Sequence, residues 1–206
     1  MSVPKEFRNF TADMELVSIQ PAARHQSRAI ARLIMQAMNY DCCQFFAGPN
    51  HTLDDFEQLM TLLVETDESQ YSYRNTQVAL LPDGEVAGIC VTYNGGDLHR
   101  LRRAFVEAAL LHFGRDFSGI DDETSAGELY IDSLAVAEAH RHQGIATALL
   151  RAAIERGQML RLPAVGLLVD KGNPRAERLY HSLGFRFINE SSWGGHPMKH
   201  LQYILE

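Results

Sequence analysis

The segment Arg141-His142-Gln143-Gly144-Ile145-Ala146-Thr147 follows the run Glu128 to Val136, and residues 173–185 read Asn173-Pro174-Arg175-Ala176-Glu177-Arg178-Leu179-Tyr180-His181-Ser182-Leu183-Gly184-Phe185. The first segment joins a strand to a helix. Glu128 to Val136 is mostly apolar, and Gly144 to Arg156 carries Ile145, Leu149, Leu150 and Ala153 on one stripe. Gly144 and Ala146 bring little or no side chain to the turn, so a ligand can approach the backbone closely. The amides of Gln143 to Thr147 fall at a helix start, where unpaired donors attract an anion such as a pyrophosphate. Arg141 adds a cation. Small residues at a helix start also serve tight packing, so this loop alone is a weak signal. In the second segment Asn173 is the N-cap, Pro174 takes the first helical position and Gly184 stops the helix.

Val165 to Val169 is a short, nearly continuous apolar run, as expected of a strand buried on both faces. Upstream, Glu15 to Ile19 reads as a strand. Gln26 to Met38 has helical spacing at Ile30, Leu33, Ile34 and Met38. Thr52 caps a second helix, with Asp54 and Asp55 in its first turn. Thr76 to Leu81 and Glu85 to Val91 form a hairpin through Pro82-Asp83-Gly84. Leu98 to Phe113 is helical, residues 115–127 form a polar surface loop, and Phe185 to Glu190 and Lys199 to Leu205 are closing strands. Residues 1–14 are a lead-in. The chain reads as a single α/β domain over 1–206.

With 206 residues, 46% of them hydrophobic, one such domain can bury a sufficient core. The formal net charge of -7 argues against a nucleic-acid partner. Cys42, Cys43 and Cys90 have no Cys-x-x-Cys spacing, which argues against a disulfide framework and a thiolate zinc site and fits a cytoplasmic setting. The N-terminal stretch has no apolar core of a signal peptide, and no run is long enough to span a bilayer, so no membrane partner is expected.

In order and spacing, Arg141, Gly144 and Ala146, followed by Asn173, Ala176, Tyr180, Gly184 and Phe185, resemble the motifs of the GNAT superfamily, the GCN5-related N-acetyltransferases. The resemblance is specific over residues 128–187, the acetyl-CoA-binding core it implies. Upstream it is architectural, with an extra helix near 98–113. It implies a GNAT-like mixed, twisted central sheet with splayed central parallel strands and flanking helices. It also implies that a pantetheine arm inserts at the splay, along Leu134, Ala135 and Val136. Amides around His142, Gln143, Gly144, Ile145, Ala146 and Thr147, with Arg141, would hold the pyrophosphate. Asn173 and Ala176 would lie beside the arm, and Tyr180 would point at the sulfur. The implied activity is acetyl-CoA-dependent N-acetyl transfer by a direct route in a ternary complex. The acceptor would be a small-molecule or peptide amine, no metal is implied, and a homodimer is common in the superfamily. The alternative is a non-catalytic acyl-CoA-binding sensor or regulatory module, which needs the Arg141 to Thr147 loop but neither Tyr180 nor a base.

Transfer from a thioester to an amine needs a neutral amine, although a free alkyl ammonium titrates near ~10. It needs a donor for the developing oxyanion and a proton for the leaving thiolate. Tyr180 is the candidate acid. By strand alternation Glu128, Tyr130 and Asp132 share one face, and Leu129, Ile131 and Ser133 the other. Asp132 is the first candidate base and Glu128 the second; the Leu134 amide is the candidate oxyanion donor. Residues 22–66 and 94–127 would set the acceptor and carry no readable motif. His196 and His200 are four apart, but Trp193 to Pro197 reads as a loop rather than a helix, and no carboxylate of metalloprotease spacing accompanies them. Arg100, Arg102 and Arg103 read as a solvated helix face, Asp116, Asp121, Asp122 and Glu123 as a loop face, and Cys90 as a buried, inert thiol.

Overall fold

In the computed structural model, residues 17–206 are described; the lead-in and the start of the expected first strand lie outside them. Seven strands form one sheet in the order β1-β2-β3-β4-β5-β7-β6. They are β1 (Ser18–Pro21), β2 (Thr76–Leu80), β3 (Val86–Asn94), β4 (Glu128–Val136), β5 (Ala164–Asp170), β6 (Arg186–Trp193) and β7 (His196–Ile204). Among these strands β4 and β5 pair in parallel and every other neighbouring pair is antiparallel.

Among the described residues six α-helices flank the sheet: α1 (Ser27–Met38), α2 (Tyr40–Ala47), α3 (Leu53–Glu65), α4 (Leu98–Phe113), α5 (Ile145–Met159) and α6 (Pro174–Leu183). On one face, α1 to α4 bury Ile34, Phe46, Phe56, Met60 and Phe105 against Val78, Ile89, Val91 and Ala135. On the other, α5 seats Ile145, Leu149, Leu150 and Ala153 on Leu129, Ile131, Val165 and Leu167, with Leu179 and Tyr180 of α6 at its margin. The stripes read from sequence are the buried faces.

Helix α2 was not expected. Asn39, at φ 67°, ends α1 and its side chain accepts from the Cys42 amide at 2.9 Å, starting a new helix within one residue. The Thr52 cap is present as a reciprocal box. Its hydroxyl accepts from the Asp55 amide at 3.1 Å, and the Asp55 carboxylate accepts from the Thr52 amide at 2.8 Å. The segment read as a loop around His196 is a tight hairpin. Gly194 and Gly195 take φ of 57° and 80°, which allows a two-residue turn, and β7 starts at His196 rather than Lys199.

Candidate active site

The site follows from two irregularities in β4. Its parallel pairing with β5 runs from Glu128↔Ala164 to Ile131↔Leu167 and stops there, although both strands continue. Beyond Ile131 and Leu167 the strands splay. On its other edge, β4 meets β3 with Ile131 opposite Thr92 and Ser133 opposite Val91, leaving Asp132 as the extra residue of a bulge.

The bulge changes the expected face of Ser133. Directly opposed residues share a face, and Val91 belongs to the α1–α4 side. Ser133 therefore lies on the Asp132 side, not with Leu129 and Ile131, and its hydroxyl donates to Asp132 Oδ2 at 2.9 Å. Leu134 and Val136 turn to the α5 side.

A cavity of about 700 Å³ passes through the splay. One end is lined by Leu134 to Val136, the Arg141 to Thr147 loop except Gln143, and Asn173, Ala176 and Tyr180. Gly144, at φ 82°, starts α5, and no side chain caps that start. A side chain at Gly144 would meet no atom within 4 Å, so the turn is open. Donor amides at an uncapped helix start, with Arg141 beside them, suit an anionic diphosphate. Arg175 donates to the His142 ring at 2.8 Å and ties α6 to this loop.

The Asn173 carbonyl oxygen accepts from the Ala176 amide at 3.1 Å, which leaves its amide nitrogen for another partner. The Val136 carbonyl already accepts from Gln36 at 3.0 Å and from Arg141 at 3.4 Å, so a ligand bonding there shares or displaces those donors. The backbone slot, the open helix start and the apolar wall of Ala176 and Leu179 fit a pantetheine diphosphate. Tyr180 lines the same cavity, and burial holds its phenol proton well above the ordinary range.

The other end is walled by Met38, Asn39 and Cys42 from α1 and α2, Tyr71, and Trp193, His196 and Met198 from the β6–β7 hairpin. Glu123, Tyr130 and Asp132 face it. Burial, then the nearby Glu123 carboxylate, raise Asp132 to about 7, against hydrogen bonds from Ser133 and Gln70. Asp132 has no ion-pair partner among the described residues.

Residues 42–185 match the Acetyltransferase (GNAT) family. The chain belongs to this family. It is 38% identical over 72 residues to the Arabidopsis thaliana protein "GCN5-related N-acetyltransferase 6, chloroplastic", a match spanning 35% of this chain and 25% of that protein. A crystal structure described as an acetyltransferase superposes with TM-score 0.74 at 28% identity, over 92% of this chain and 100% of that one. An N-acetyltransferase from Staphylococcus aureus Mu50 gives TM-score 0.76 at 22% identity, over 90% and 100%, a likeness of fold.

Among the expected residues of this GNAT domain, the fold brings Asp132, Tyr180, Asn173, Ala176, Leu134 to Val136 and the 141–147 loop to one cavity, apart from Gln143. It does not bring Glu128 there. The Glu128 carboxylate is buried between β4 and β7, where Thr124 donates to it at 2.6 Å, Gln202 at 2.8 Å, and His200 lies 2.8 Å away. Burial alone would raise it, but the bonds to His200, Thr124 and Gln202 hold it below the ordinary carboxylate range.

Two residues read as surface are interior. Arg102 is buried and bonds Asp122 at 3.0 Å, the carbonyls of Ile120 and Asp121, and Glu123. Glu123 is buried too, accepting from Tyr93 at 2.9 Å and Trp193 at 3.2 Å. The sequence signal was slight: one arginine on the α4 stripe beside Leu101 and Phe105, and one acid just ahead of a strand.

Proposed function

We propose that this protein is an acetyl-CoA-dependent N-acetyltransferase that passes the acetyl group directly to an amine. The observation that carries the reading is one continuous cavity. It joins an anion-binding helix start, through the β4–β5 splay, to a chamber in which the Asp132 carboxyl has no ion-pair partner among the described residues. A diphosphate suits the first end and an ammonium the second.

Bound acetyl-CoA would supply the activated acyl carbonyl. The chain's residues would do the rest. Asp132 accepts the ammonium proton, directly or through water, and a carboxyl that titrates near neutrality is matched to that task. The Leu134 amide, on the edge of β4 freed by the splay, donates to the developing negative charge on oxygen. Tyr180, protonated across the working range, gives its proton to the departing sulfur and recovers one, through water, from the acylated nitrogen, which sheds its second proton as the C–S bond breaks. Holding both partners in one cavity supplies further acceleration.

Calorimetric titration with acetyl-CoA, together with thiol release against a panel of polyamines, arylalkylamines and peptide amino termini, tests the reading. Binding with turnover on one amine class supports it. Binding with no turnover on any amine favours the sensor alternative. Absence of binding refutes both.

A further inference from the structure

Gln70 precedes β2 on the segment after α3, and its side-chain amide nitrogen lies 3.2 Å from Asp132 Oδ1 and 3.4 Å from Glu123 Oε1. A single amide thus spans two buried carboxyls. That orientation leaves the Gln70 oxygen buried with no partner. An unpaired buried acceptor is costly, so the amide's placement on the two carboxyls is itself informative. The carboxyls are not equivalent. Glu123 is paired with Arg102 and fixed by Tyr93 and Trp193, whereas among the described residues Asp132 takes only the Gln70 and Ser133 donors.

We propose that Glu123 is a positioning residue for Asp132: bridged to it through Gln70, it determines the pH at which Asp132 can take up a proton from the acceptor. This rests on Asp132 being the proton acceptor. Glu123 is ion-paired with Arg102, and its negative charge opposes ionisation of Asp132. Gln70 acts in the other direction, as a donor that favours the ionised form. The other groups within electrostatic reach of Asp132 are Tyr71, Tyr93 and Cys90 of β3, Tyr130 of β4 and Arg102 of α4; burial keeps the phenols and the thiol neutral. His196 and Trp193 close the chamber from the hairpin.

The test needs no acceptor. Carboxyl carbon-13 resonances of the full-length protein are titrated by NMR, and Asp132→Asn identifies the Asp132 signal. Two unit charges about 6 Å apart at an effective dielectric of about 20 shift a titration by about two pH units. With Arg102 left in place in both proteins, Glu123→Gln is expected to lower the Asp132 midpoint by about two units. Gln70→Ala is expected to raise it. Glu123→Gln should fold, since Arg102 keeps Asp122 and two carbonyls, and the glutamine oxygen still accepts from Trp193.

A midpoint that stays put or rises in Glu123→Gln overturns the proposal; if that variant does not fold, an unmoved midpoint in Gln70→Ala does so. The catalytic reading is judged separately. Once an amine gives turnover, loss of the acidic limb of kcat/KM in Asp132→Asn upholds Asp132 as base. An Asp132 midpoint that follows Glu123 while that limb is untouched keeps the pairing and rejects the base.

Discussion

Replacing Asp132 by asparagine should make the protein more stable as it makes it less active, and the stability gain should depend on pH. The folded state holds Asp132 to about 7, whereas the free side chain titrates at 3.8. Between those values the folded chain keeps a proton that the unfolded chain has lost. Stability is thus fully present below about pH 4 and is lost as pH rises through 7. Three units at about 1.4 kcal/mol each give about 4 kcal/mol, an upper bound for a buried site that can relax. Asparagine has no proton to lose. It can still accept from Gln70 and meet the Ser133 hydroxyl. Urea unfolding of both proteins at pH 4.5, 6 and 8 measures the difference. The advantage of Asp132→Asn should be small at the lowest pH and reach about 2–4 kcal/mol at the highest. An advantage that does not vary with pH would mean that Asp132 titrates as an ordinary carboxyl and is not a near-neutral base.

Tyr180→Phe should lower kcat by about a hundredfold or more while acetyl-CoA affinity, measured by calorimetry, stays within about twofold; unchanged turnover removes the phenol from the chemistry. Gly166→Ala should destabilise the sheet by about 2–3 kcal/mol, because the new methyl would coincide with the Glu128 carboxylate and dislodge its bonds to His200 and Gln202, a loss read from the urea midpoint. Thr52→Ala should cost about 1 kcal/mol through the lost cap on α3, visible as a lowered Tm with activity retained.

The parts of the fold legible in the sequence are those set by local chemistry. The stripe Ile145, Leu149, Leu150 and Ala153 is buried because a 3.6-residue period has one apolar face, and Asn173 and Gly184 bound α6 because cap chemistry acts within a few residues. The turn at Gly144 that starts α5 was legible for the same reason. What was not legible depends on partners distant in sequence. Nothing near Glu123 says that Arg102, Tyr93 and Trp193 will surround it, since these lie 21, 30 and 70 positions away. Helix α2 was missed because its cap, Asn39, doubles as the end of α1 and leaves no polar gap between them. Glu128 and Asp132 sit on one strand with the same chemistry available. Only tertiary contacts separate them: one meets His200 across the sheet, the other meets the cavity.

That separation traces to one step of β4. Up to Ile131 the strand is bonded on both edges, and an acid there, such as Glu128, must be satisfied by neighbouring strands. After Ile131 the β5 ladder ends and the β3 ladder slips by one residue. The splay frees backbone donors and acceptors on one edge, where a thioester arm can lie. The bulge inserts Asp132 at the same point and places Ser133 on its side. Either irregularity alone would be incomplete: a splay without the bulge would leave Ser133 facing α5, and a bulge without the splay would leave the carboxyl facing a closed sheet. Their coincidence at Asp132 lets a buried carboxyl and a freed strand edge open into one cavity.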